Sequence, residues 1–130
     1  MPVDLHESFV LAAEQALGAR LPESYRRAML RSNGGELEAR GEEWVQYPIA
    51  DTSDRKRLSR SANHILKETE VCRQWPGFPQ DALAIASNGA GDHLVLVRQG
   101  GTFGPAVYVW SHETRALEKL ADDFAELAAL

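Results

Sequence analysis

Cysteine is almost absent: Cys72 is the only one in 130 residues. A single thiol cannot close an internal disulfide, so packing and hydrogen bonds must hold the fold. Long apolar runs are missing as well, and none approaches the roughly 20 residues that a membrane-spanning helix needs. The opening "MPVDLHESF" carries Asp4 where a secretory leader carries base, and no extended apolar segment follows it. Together these absences lead us to expect a cytoplasmic protein with no membrane partner.

Positive charge is also in short supply. Lys and Arg number 14 against 19 Asp and Glu, a formal net charge of -5. Binding to a phosphate backbone calls for a basic footprint, so nonspecific DNA or RNA binding is disfavoured. A basic protein partner remains compatible with this balance. The hydrophobic fraction is 44% and the charged fraction 25%, and the length suits one core. We therefore expect a single domain over residues 1–130, without internal repeat or linker.

Helical spacing opens the chain. Leu5, Phe9, Ala13, Ala16 and Leu17 predict a helix over 4–17, with Asp4 and Glu7 as a capping box and Gly18 as its left-handed stop. A second helix fits "PESYRRAMLRSNGG", with Pro22 in its first turn and Asn33, Gly34 and Gly35 ending it. "EWVQYPI" predicts a short strand at 43–49, with Pro48 at a sheet edge. A longer helix is expected after Ser53, where Leu58, Ala62, Ile65, Leu66, Thr69 and Cys72 recur with helical period, making Cys72 a small core residue. "WPGFPQD" breaks it. The runs "ALAIA" (82–86), "HLVLV" (93–97) and "AVYVW" (106–110) predict a β-meander, with a fourth strand at 116–119. "DDFAELAAL" predicts a closing amphipathic helix with Phe124, Leu127 and Ala128 inward.

Reactive chemistry has few places to reside. His6, His64, His93 and His112 are scattered, with no i,i+4 pair and no C-x-x-C spacing, so neither a metal site nor a cofactor is expected. His6 and His64 fall in helical segments and read as surface residues. "GGTFG" lacks a following lysine, and "NGAGD" leads into a strand rather than a helix, so neither makes a phosphate loop. No G-x-S-x-G elbow is present. If 93–97 pairs with 106–110 about a loop centred near 102, Leu96 faces Tyr108, Leu94 faces Trp110 and Asp92 faces His112. Asp92 and His112 then read in two ways. Either the carboxylate ties a turn and steadies the imidazole, or Ser111 or Ser87 completes a small hydrolase.

Several ordered motifs resemble the SUKH superfamily. In "LGARLPESYRRAMLRSNGGE" the matching positions are Leu17 and Gly18, Leu21 and Pro22, Tyr25, and Asn33 with Gly34 and Gly35. In "LAIASNGAGDHLVLV" the glycine-aspartate pair is Gly91 and Asp92. "VYVWSHE" and "LADDFAELAAL" are similar to the corresponding stretches of the fungal cell-wall-assembly regulators and their bacterial relatives. The segment from Glu36 to Gln80 matches least. The resemblance implies an α+β fold, with a mixed or antiparallel sheet and a C-terminal meander packed against N-terminal and C-terminal helices. It also implies no catalytic activity. Bacterial relatives are commonly immunity proteins that bind and block a cognate toxin, often a nuclease, and fungal relatives are regulatory scaffolds. Leu21, Pro22, Tyr25, Asn33, Gly34, Gly35, Gly91 and Asp92 are carried over as fold-makers.

The less family-like region is also the most unevenly charged. "GGELEARGEEW" sets Glu36, Glu38, Glu42 and Glu43 against Arg40, and "DRKRLSR" sets Arg55, Lys56, Arg57 and Arg60 against Asp54. As solvated surfaces these runs need no further role. As a binding face they make Glu36, Glu38, Glu42, Glu43, Trp44, Tyr47, Asp51 and Asp54 the candidate contacts for a basic partner, although both aromatics equally suit a core. The expectations are thus an immunity protein neutralising a basic toxin, a regulatory scaffold, or a hydrolase built on Asp92 and His112.

Overall fold

The leucine-glycine and leucine-proline pairs build the first corner. The computed structural model of the protein describes residues 3–129, apart from the side chains of Ala128 and Ala129. Helix α1 (Glu7–Leu17) stops at Gly18, whose left-handed backbone (φ 69°) turns its N–H back onto the carbonyls of Glu14 and Gln15. The Glu14 carboxylate is buried; it accepts the Leu21 N–H at 2.7 Å and lies 3.4 Å from the Arg26 guanidinium. Pro22 then leads into helix α2 (Glu23–Arg31) from the position just before the first helical residue. The capping box does not form. His6 caps α1, its Nδ1 accepting the Ser8 N–H at 3.1 Å. Asp4 is drawn away to the Arg57 guanidinium, at 3.2 Å.

A strand not expected from the sequence follows. Strand β1 (Gly35–Ala39) pairs with β2 (Glu42–Gln46) through a tight turn at Arg40 and Gly41, both with positive φ (56° and 71°). The expected strand at 43–49 thus begins one residue earlier and ends at Gln46. The Asn33 amide fixes the chain beyond it, donating to the Ile49 carbonyl and accepting the Ile49 N–H, each at 2.8 Å.

The helix expected from Ser53 to Cys72 is in fact two, α3 (Arg55–Arg60) and α4 (Ile65–Cys72). The intervening polar residues compete with the helix for backbone bonds. Ser61 Oγ donates to the Arg57 carbonyl at 2.9 Å and accepts the Asp51 N–H at 2.9 Å. His64 Nδ1 accepts the Lys67 N–H at 3.2 Å and restarts the helix.

The remaining strands are β3 (Ala82–Ser87), β4 (His93–Gln99), β5 (Thr102–Phe103), β6 (Val107–Trp110) and β7 (Leu117–Ala121). Among the described residues they complete an antiparallel sheet in the order β1-β2-β3-β4-β6-β7, with β5 paired to β4 off this path. His93 faces Trp110, Leu94 faces Val109 and Val95 faces Tyr108, one residue away from the expected register. The reason is the short β5: it pairs Arg98 with Phe103, leaving residues 104–106 as an asymmetric return. The closing segment is a 3₁₀ helix (Phe124–Ala129) rather than an α-helix. Phe124 and Leu127 are buried as expected, since residues three apart eclipse in a 3₁₀ turn; the Ala128 side chain lies outside the described residues. This helix packs against α2, β1 and β7. The curl of the sheet brings its two ends together, and Arg40 reaches the Glu118 carboxylate at 3.0 Å.

The core centres on β3 and β4, buried on both faces over Ala82–Ala86 and His93–Leu96. The β3 register shifts between Ala84 and Ala86. At this bulge the buried Ala84 N–H donates to Thr69 Oγ1 of α4 at 2.9 Å. Replacing Thr69 with Val keeps the side-chain shape and removes the acceptor. We expect a loss of roughly 1–3 kcal/mol, the cost of an unsatisfied buried amide. Thr69→Ser, which keeps the oxygen, is expected to lose less, and urea unfolding of the two variants checks the order.

Candidate functional site

Alternation along the β1–β2 ribbon separates two faces. Leu37, Ala39 and Trp44 turn inward, while Glu36, Glu38, Glu43 and Val45 turn to solvent. In the ladder Glu36 faces Val45 and Glu38 faces Glu43. Among the described residues, Glu36, Glu38 and Glu43 have no ion-pair partner. Glu42 accepts a hydrogen bond from Asn88 Nδ2 at 2.6 Å, which joins the ribbon to the β3–β4 corner.

Three of the candidate contacts are internal. Trp44 is 2% exposed, Tyr47 9% and Asp51 2%, so none offers surface to a partner. Trp44 lies on the inward side of the ribbon. Tyr47 reaches His93, with its hydroxyl 3.2 Å from Nε2, and burial pushes the phenol up to about 12. Asp51 accepts hydrogen bonds from the Ser53 N–H and hydroxyl and from Arg57. Burial raises this carboxyl, but those bonds outweigh it and hold it below its ordinary value. Asp54 stays exposed and caps α3 by accepting the Arg57 N–H at 2.8 Å.

The basic run divides in the same way. Arg57 is committed to Asp4 and Asp51, whereas Arg55, Lys56 and Arg60 are exposed. Glu36 and Val45 from the ribbon and Arg57, Arg60 and Asn63 from the α3 region line a common groove of about 640 Å³. Glu36 of the acidic run and Arg60 of the basic run therefore share one concavity. Gly34 closes the groove near β2, with φ 99° and a would-be Cβ only 3.4 Å from the Gln46 carbonyl.

At the β3–β4 corner, Asn88 Oδ1 accepts the N–H groups of Ala90 and Asp92, at 2.9 and 3.2 Å. Gly91 has φ 102°, and a Cβ there would lie 2.9 Å from the His112 ring. Asp92 Oδ1 accepts both the His112 ring Nδ1–H, at 2.7 Å, and the His112 backbone N–H, at 3.1 Å. The pair forms despite the shifted register because the carboxylate reaches one residue past its ladder position. Burial raises the Asp92 carboxyl, but the two bonds from His112, its charge and the Asn88 amide outweigh that and hold it low. Ser87 Oγ accepts the Gly89 N–H at 3.1 Å, and Ser111 Oγ accepts the Thr114 N–H at 3.3 Å, so both serines serve turns.

His93 carries a role that sequence reasoning did not assign. Its Nδ1–H donates to the Gly91 carbonyl at 3.2 Å, which leaves Nε2 to accept the Tyr47 hydroxyl. The only signal for it was its place at the head of a strand covered on both faces. Cys72 is buried as expected, and burial pushes its thiol up to about 11, away from thiolate chemistry. Among the described residues no cluster of three or more His, Cys, Asp or Glu is arranged to hold a metal ion. No helix among them is long and apolar enough to cross a membrane.

These features define an α+β protein with an antiparallel sheet, with unpaired carboxylates clustered on one ribbon and exposed cations on one short helix. The sequence profile of the SMI1/KNR4 family (SUKH-1) matches residues 5–129, and the chain belongs to that family. Among curated proteins, none matches it.

Two histidines make the site region sensitive to acid. Burial lowers the proton affinity of His93 against a smaller opposing pull from the Gly91 carbonyl. Burial, followed by the charge of Lys67, lowers that of His64. A group with a depressed folded-state pKa contributes its full stability above the unfolded value of 6.5 and loses it as pH falls towards the folded value. We expect the urea midpoint to drop between pH 7 and pH 5. In a His93→Gln/His64→Asn variant, which keeps the bonding capacity without the titration, the drop should be smaller. A wild-type midpoint that stays constant over this range contradicts the assignment.

Proposed function

We propose that the protein is an immunity-type binder that neutralises a basic bacterial toxin by direct contact through the acidic face of β1–β2 and the adjoining groove. SUKH-1 membership is consistent with an immunity-type or a regulatory protein, and both act through protein partners. The observation that carries the toxin-binding reading is the pairing of Glu38 with Glu43. Like charges set directly opposite one another weaken a ribbon, and Glu36 adds a third uncompensated carboxylate to the same face. A surface that tolerates this repulsion is suited to a cationic partner, which would relieve it and be steered towards it. Glu36, Glu38, Glu42, Glu43 and Asp54 are the contacts that remain exposed, and Glu42 also links the ribbon to the corner. This reading gives the protein no catalytic step, and Asp92 and His112 serve as a turn tie.

The test separates stability from binding. Glu43→Lys turns the repulsive pair into an attractive one, so the folded chain should gain roughly 0.2–1 kcal/mol. The same change should slow association with a basic toxin and weaken affinity about tenfold or more. The partner is first captured at native abundance and then expressed in bacteria with and without this chain. Growth arrest by the partner alone, rescue by the wild-type chain and poorer rescue by the Glu43→Lys variant are expected. A captured partner that is harmless to the cell favours a regulatory scaffold, and undiminished rescue by Glu43→Lys removes the ribbon as the contact.

A further inference from the structure

A second groove, of about 490 Å³, opens beside the β3–β4 corner and shares no lining residue with the first. One wall is α4 and the turn that follows it. Glu68, Val71 and Trp75 line it at positions i, i+3 and i+7, the spacing of one helical side. The other wall is the backbone of Gly89 to Gly91 with the His112 ring. Val71 is 47% exposed and Trp75 39%, and the two sit together on one wall of the groove. The Trp75 indole is nonetheless fixed, edge-on to Trp110 at 6.2 Å and to His112 at 6.1 Å. An aromatic surface ordered in advance spares a ligand the entropy of arranging it.

The groove also holds a carboxylate with nothing to neutralise it. Glu68 is half-buried, and among the described residues its side chain makes neither an ion pair nor a hydrogen bond. Arg73, on the same helix, pairs with Glu70 instead, at 2.9 Å. His112 is turned to Asp92, and Cys72 behind it is buried. A partly desolvated anion beside a fixed indole is complementary to a planar cation. The guanidinium can meet the carboxylate while its flat face lies against the aromatic ring, and its alkyl stem has Val71 to cover.

We propose that this groove is a recognition pocket for a single arginine side chain displayed by a protein partner, with Glu68 taking the charge and Trp75 and Val71 taking the stem and planar face. The pocket lies outside the acidic ribbon, and its test needs no toxin. The probe is N-acetyl-arginine amide, followed through the indole N–H signals of the ¹⁵N-labelled protein. Trp44 is buried and away from the groove and serves as the internal control, and Trp75→Phe identifies the Trp75 signal. A saturable shift of the Trp75 signal is expected with the arginine probe, and none with the neutral citrulline analogue. Glu68→Gln should weaken binding at least fivefold while the Trp44 signal stays in place. The proposal is overturned by a shift that does not saturate, by an equal response to citrulline, or by unchanged affinity in Glu68→Gln. Equal affinity for N-acetyl-lysine amide overturns the assignment to arginine.

Discussion

Because both faces of the β3–β4 pair are covered, every polar group on it has to find its partner inside the protein. That constraint organises the rest of the structure. The N–H freed by the β3 bulge goes to Thr69, which fixes α4 against the sheet. His93, at the head of β4, is held between the Gly91 carbonyl and the Tyr47 hydroxyl, which ties the segment after β2 to the corner. The turn itself is closed by Asn88 and Asp92, and through Asp92 it holds the start of the β6–β7 return at His112. Removing the cover from either face would leave these bonds competing with water.

The family motifs belong to this interior logic. Gly18 and Glu14 make the first corner, Asn33 substitutes a side-chain amide for a neighbouring strand at Ile49, and Gly91 leaves room for the His112 ring. None of these groups presents chemistry to solvent. The motifs are therefore informative about the fold and uninformative about the partner. The unpaired carboxylates of β1–β2 and the exposed cations of α3 lie in the stretch that resembles the family least. The Asn88–Glu42 bond ties that stretch to the β3–β4 corner, whose Gly89–Gly91 segment lines the Trp75 groove.

Much of this was legible in the residues. The glycine stop of α1 and the meander strands follow from spacing and turn chemistry, whereas the Asp92–His112 bond was expected from a register that proved one residue off. What was not legible has identifiable causes. Strand β1 reads Glu-Leu-Glu-Ala, residues of high helix and low strand propensity, and its strand state comes from the Arg40-Gly41 turn and pairing with β2. The break between α3 and α4 comes from Ser61 serving Asp51, a long-range demand with no local pattern. Trp44 and Tyr47 were open between core and surface; the ribbon register places Trp44 inside, and Tyr47, just past β2, is drawn in by its bond to His93. His6 and His64 proved to be helix caps through their Nδ1 acceptors, a use seldom signalled by composition.

The central claim is that the unpaired acidic face of β1–β2 is where the partner sits. Hydrogen–deuterium exchange on the protein, alone and saturated with its captured partner, tests it most directly. The account predicts new protection over residues 36–45, with little change in α1. Unchanged exchange in the ribbon, with protection confined to α1 and α2, would contradict it.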